Sequence, residues 1–151
     1  MNGYYSLLNE LNTHFTSDPL VNTITQGSIF NVDLGKQNLF PLVHIMVNQV
    51  TFNDNVMTAN VTLMAMDNVS QRKEEPTTKF ETSDNEIDVL NTQLAVLNRA
   101  FEMLKHGNIW DNLYHLNGAP TCEPFIERFE NYLAGWAMTF DVDFPNDMTI
   151  C

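Results

Sequence analysis

The stretch Pro41-Leu42-Val43-His44-Ile45-Met46-Val47-Asn48-Gln49-Val50-Thr51-Phe52-Asn53-Asp54-Asn55-Val56-Met57-Thr58-Ala59-Asn60-Val61-Thr62-Leu63-Met64-Ala65-Met66-Asp67 decides the fold. Val43, Ile45 and Val47 recur every second residue, the period of a strand with one buried face. Beyond Asn48-Gln49 the apolar phase moves to Val50 and Phe52, as one extra residue in a strand would cause. Asn53-Asp54-Asn55 is a cluster of turn formers. Met57, Ala59, Val61, Leu63 and Ala65 then hold a single phase. The pattern predicts a long β-hairpin over 41–67 with a bulge or twist at Asn48-Gln49.

Working outward, Leu7, Leu8, Leu11 and Phe15 repeat at helical spacing, with Tyr4 one turn earlier, and predict an amphipathic helix over 3–16. Asp18-Pro19 stops it. Thr23 to Asp33 reads as a strand bent at Gly27, and 34–38 as a polar loop. On the other side, 68–84 is the most polar part of the chain and reads as a long exposed loop. Ser83 and Glu86 form a capping box. Behind it Ile87, Leu90, Leu94, Leu97, Phe101 and Leu104 are spaced by three and four, which predicts a buried seam. Lys105-His106-Gly107 closes the helix with cations and a glycine cap. A helix over 84–106 would be about 33 Å long and cross a whole face of a sheet. Residues 109–116 suit either a helical turn or a short strand, broken by Gly118-Ala119-Pro120. Phe125, Phe129, Tyr132 and Leu133 lead into a last strand. There Trp136, Met138, Phe140, Val142 and Phe144 alternate with Ala137, Thr139, Asp141 and Asp143 up to Pro145. These elements predict one α+β domain over 1–151. An antiparallel or mixed sheet carries the long hairpin and is packed by an N-terminal helix and a long central helix.

The 151 residues include 7 Lys and Arg against 19 Asp and Glu, a formal net charge of −12. A binder that neutralises nucleic-acid phosphates needs a basic face, so that class is excluded, as is docking on anionic lipid. With 44% hydrophobic and 17% charged residues the composition is that of a globular chain. No run approaches the roughly 20 apolar residues of a membrane span. Met1 to Tyr5 lacks the basic and apolar regions of a signal peptide; Cys122 and Cys151 stand far apart and allow one bridge, but two free thiols in a reducing compartment are the preferred reading.

His14, His44, His106 and His115 never pair at helical ligand spacing, and neither cysteine lies beside one, so no zinc signature is present. Phosphate-loop, dinucleotide and nucleophile-elbow motifs are absent too. Asp141 and Asp143, two residues apart, could join Asp33 and Asp67 in a two-metal centre. The wet face of an antiparallel sheet shows the same alternation and is the preferred reading. His44 reads as a satisfied or solvent-facing strand histidine, Asn48, Asn60 and Thr62 as positions on a paired or wet face, and Trp136 and Phe140 as core. No catalytic residue, cofactor or metal ligand is assigned, and no enzymatic activity is expected.

Three segments carry a resemblance: Gln37-Asn38-Leu39-Phe40-Pro41-Leu42-Val43-His44-Ile45, Asn91-Thr92-Gln93-Leu94-Ala95, and Cys122-Glu123-Pro124-Phe125-Ile126-Glu127-Arg128-Phe129-Glu130-Asn131-Tyr132-Leu133-Ala134-Gly135-Trp136. They resemble tail-completion and neck proteins of tailed bacteriophages, including crAss-like phages of Bacteroidetes hosts. The order of elements is similar to the tail-terminator fold. The resemblance implies a structural virion protein, assembled in the host bacterial cytoplasm. It implies a homo-oligomeric ring, hexamer favoured and dodecamer in portal-matched necks, at the head–tail junction or the head-proximal end of the tail. Other neck, portal-adaptor or tail-tube proteins would be its partners, DNA would pass without specific binding, and no cofactor or membrane is implied. On this reading Glu123, Glu127, Asp141 and Asp143 are candidates to line the channel, since an acidic lumen repels phosphate. Arg72, Lys73, Glu74, Glu75 and Lys79 form a candidate partner-contact loop. The alternative is an acidic adaptor or DNA mimic that binds a basic host factor.

Overall fold

Five strands and two helices build the fold in a computed structural model that describes residues 3–28, 40–69, 85–106, 114–128 and 132–146. In chain order they are α1 (Gly3–Thr16), β1 (Thr23–Gln26), β2 (Leu42–Phe52), β3 (Val56–Asn68), α2 (Glu86–His106), β4 (His115–Arg128) and β5 (Tyr132–Pro145). The strands form one mixed sheet in the order β1-β2-β3-β5-β4, and only the β1–β2 pair is parallel. The α+β class, the hairpin and both helices match the sequence reading. The bulge is there as well, as a register shift between Val47 and Gln49.

The hairpin alternation sorts the sheet into two faces. Val43, Ile45, Met57, Ala59, Val61, Leu63, Ala65, Met138, Phe140, Val142 and Phe144 share the side covered by the helices. Leu7, Leu11 and Phe15 of α1 and Val96, Leu97, Ala100 and Leu104 of α2 complete that core. Burying a side chain of this size contributes about 1.5–3 kcal/mol, so this face supplies most of the driving force for folding. A smaller cluster of Phe40, Leu42, Met66 and Leu133 lies at one end of the opposite face. Trp136 packs against the main core and its indole N–H donates to the Leu90 carbonyl at 2.8 Å, tying α2 to β5.

The expected α2 seam is corrected. Val89, Gln93, Val96, Leu97, Ala100 and Leu104 are buried, whereas Ile87 and Leu94 are 45% and 39% exposed. The helix carries two adjacent apolar stripes, and the sheet takes the one holding the smaller Val and Ala, which lets the helix approach closely. Gln93 falls in the chosen stripe, and among the described residues neither its amide oxygen nor its nitrogen has a partner. The helix is described from Glu86, so the Ser83 cap lies outside the described residues.

One further expectation changes. Gly118-Ala119-Pro120 does not break the strand: β4 runs through it, with the pairing to β5 interrupted between Asn117 and Thr121. Gly118 takes a positive φ of 77°, which accommodates the irregularity. Because β4 is an edge strand, Pro120 and Pro124 are tolerated there. Within the strand order the β2–β3 hairpin lies between β1 and β5. The outer strands are β1 and β4, although β1 covers β2 only from Leu42 to Ile45. The strand predicted to Asp33 is described only as far as Gln26, and 29–33 lie outside the described residues.

Gly135 is fixed by packing. A Cβ there would overlap the Ala65 carbonyl oxygen on β3 and come within 2.9 Å of Met66 Cα. Gly135→Ala should therefore cost about 2–3 kcal/mol in a urea titration, as overpacking does. Gln93→Met, which keeps the volume and removes an unsatisfied buried amide, should raise stability by about 1 kcal/mol in the same assay.

Candidate interaction face

The face of the sheet turned away from the helices is built from the polar half of each alternation. Asn48 donates to Asn60 Oδ1 at 2.8 Å and to Thr62 Oγ1 at 2.7 Å. Asn60 in turn donates to Asp141 Oδ1 at 2.8 Å, and Thr58 to Asp143 Oδ1 at 2.6 Å. Thr62 and Thr139 share a 3.2 Å hydrogen bond, and Asn117 of β4 makes a long 3.5 Å contact to Asp143. The register explains why these groups meet, because Thr58 opposes Asp143, Asn60 opposes Asp141 and Thr62 opposes Thr139. The result is a ladder of side chains across β2, β3, β5 and β4 that ends on two carboxylates.

Neutral amides and hydroxyls hold both carboxylates, and His115 of β4 stands opposite Asp143 in the register. β1, β2, β3 and β5 contain no Lys or Arg at all. Glu123 is exposed on the same face, opposite Ala137, about 13 Å along the strand from the level of Asp141. Glu127 is placed in register with Leu133, about 26 Å from that level. The acidic residues are therefore strung along the face and do not form one cluster. Arg72, Lys73, Glu74, Glu75 and Lys79 lie outside the described residues, as does Cys151. Cys122 on β4 carries a free thiol, which burial pushes above its ordinary pKa.

The carboxylates of the two-metal alternative do not converge. Asp67 lies seven residues along β3 from Asn60, about 23 Å from the level of Asp141, and the alternation assigns it to the helix side. Burial raises its pKa, against a backbone hydrogen bond from Asn68. Asp33 is outside the described residues. Among the described residues no group of three or more His, Cys, Asp or Glu is placed to hold a metal ion.

Two polar sites stand within the fold: His44, read from the sequence as satisfied or solvent-facing and found satisfied, and the Asp18–Arg99 pair, which the sequence reading did not single out. His44 is fully buried at the start of β2, with Nε2 2.9 Å from the Gly27 carbonyl and Nδ1 2.6 Å from the Thr25 hydroxyl. A carbonyl can only accept, so in the neutral ring Nε2 carries the proton and Nδ1 accepts from Thr25. Gly27, with a φ of 97°, turns the chain after β1 and leaves its carbonyl against the ring. At the other joint Asp18, buried after α1, receives both Nε and a terminal nitrogen of Arg99 from α2 at 2.9 Å, and the Leu20 N–H at 2.9 Å. Burial alone would raise the Asp18 pKa. The Arg99 hydrogen bonds and charge, with the Leu20 N–H, hold it below the usual value. The signal for the histidine was its position on the polar phase of a strand, but its partners are 17 and 19 residues away.

No known protein family matches the chain, and no curated protein matches it. No described helix is long and apolar enough to cross a membrane.

Burial holds both His14 and His44 below the ordinary histidine pKa. The unfolded chain then binds protons that the folded chain refuses as the pH falls below about 6.5, so stability is full above about pH 7 and declines through the sixes. Asp67 acts in the opposite sense, but in the carboxylate range near pH 4, where the contribution of Asp18 is also lost. Urea midpoints measured from about pH 8 to about pH 5.5 should fall with pH, and His44→Gln should flatten part of that slope while lowering stability at neutral pH. An unchanged slope in the variant would contradict this assignment.

Proposed function

We propose that the chain is a structural subunit of a ring at the neck or tail end of a tailed bacteriophage, with its open sheet face turned to the DNA channel. One observation carries the reading: Asp141 and Asp143 are fixed by neutral donors on a sheet face whose central strands hold no cation. Such a face repels phosphate over about a Debye length, roughly 8–10 Å at physiological salt, and so lets a duplex slide without sticking. Glu123 extends the same field.

The placement of the resembling segments supports the reading. Phe40–Ile45 opens β2, Asn91–Ala95 lies in α2, and Cys122–Trp136 spans β4 and the start of β5. The last of these thus belongs to the two strands that carry Glu123, Asp141 and Asp143. The partners on this reading are further copies of the chain and neighbouring neck, portal-adaptor or tail-tube proteins, and the location is the virion.

The same acidic face also suits an adaptor that mimics DNA toward a basic host protein, and that role needs no ring. Light scattering separates the two readings. A ring has a mass six or twelve times 17.3 kDa and a central hole in negative-stain images. Asp141→Asn, Asp143→Asn and Glu123→Gln together should leave that mass and the unfolding midpoint unchanged and slow DNA ejection from reconstituted particles. A monomer or dimer that captures a basic host protein would overturn the ring and establish the adaptor.

A further inference from the structure

Exposed apolar side chains lie at opposite edges of the sheet. At one edge is the end of the β2–β3 hairpin, where Phe52 is 73% exposed and Val56 38%, on either side of Asp54. At the other, a groove runs between α2 and β4. Its inner stretch, 480 Å³, is lined by Leu94, Phe101, Pro120 and Cys122 among others. Its outer stretch, 580 Å³, shares Phe101 and is flanked by Lys105, His106 and His115. The Lys105 ammonium lies 5.5 Å over the Phe101 ring. In a chain of net charge −12 this is a cationic end to an apolar groove, and the hairpin end carries an acid between two apolar residues.

The register places both features at one level. Phe52 opposes Met57, Met57 opposes Phe144, and the neighbouring Asp143 opposes His115. From β2 to β4 the direction reverses three times, so the two edges run in opposite senses. A copy displaced sideways brings its hairpin end to the groove without a shift along the strands. The two patches differ, so the contact is head-to-tail, and without a rise it can close into a ring.

We infer that the hairpin end of one copy docks in the α2–β4 groove of the next. Phe52 enters the apolar channel, and Asp54 faces Lys105 and His106. This rests on the reading that the chain assembles into a ring, and names the contact that builds it. Exposed aromatic residues beside a complementary charge are the usual anchors of such contacts.

The test uses the full chain with Cys122→Ser, Cys151→Ser, Val56→Cys and His115→Cys, the two new thiols standing two residues apart in level at the opposite edges. A short bis-maleimide should join position 56 of one copy to position 115 of another, giving a ladder of covalent multimers with that peptide pair in the digest. Phe52→Ala should raise the concentration for half-assembly about thirtyfold. Asp54→Lys and Lys105→Glu should each raise it about tenfold, and the two together in one chain should restore it. An assembled parent that gives no 56–115 link and no rescue by the double variant would overturn this contact while leaving the ring in place. A parent that stays monomeric at every concentration would overturn both.

Discussion

The unbroken antiparallel pairing of β3 with β5 is the constraint on which the rest of the structure depends. It runs from Val56 against Pro145 to Asn68 against Leu133 without a register shift. A slip of one residue would exchange the two faces of both strands. Gly135 fixes that register, because only a residue without a Cβ fits against the Ala65 carbonyl. Once the register is set, Ala59, Val61 and Leu63 stack beside Val142, Phe140 and Met138 under the helices, and Thr58 and Asn60 meet Asp143 and Asp141 on the other side. Core and polar ladder are thus two consequences of one alignment.

The helices are attached to this sheet by different means. α1 is held by Leu7, Leu11 and Phe15 and by the Asp18–Arg99 pair that joins its C-terminal end to α2. That pair is buried on the aspartate side, where loss of the guanidinium would leave a carboxylate without its partner charge, a costly state. α2 is held by its Val and Ala stripe and by the Trp136 indole. The apolar stripe that α2 does not bury is what leaves a groove beside β4. The groove therefore follows from which of two stripes the sheet accepts.

The elements with a strong local period were legible in the sequence: α1, the hairpin with its bulge, the extent of α2 and the alternation of β5. What the sequence could not show are features decided between distant segments. The insertion of β5 between β3 and β4 and the parallel β1 leave no local pattern. Gly118 and Pro120 read as breakers, yet at a sheet edge a bulge absorbs them. Ile87 and Leu94 looked as apolar as Leu97 and Leu104, and only the sheet beneath selects between them. Of the candidate site, the alternation revealed that Asp141 and Asp143 share a face. That Thr58 and Asn60 hold them is a matter of register, and the pairs are separated by 85 and 81 residues.

The central claim is that the open carboxylate face looks onto a channel. Electron cryomicroscopy of the assembled particle tests it most directly. The account predicts a closed ring whose bore is lined by the β3–β5 face, with Asp141 and Asp143 pointing inward and α1 and α2 on the outside. A ring with the helices facing the bore, or an assembly that buries Asp141 and Asp143 between subunits, would contradict it.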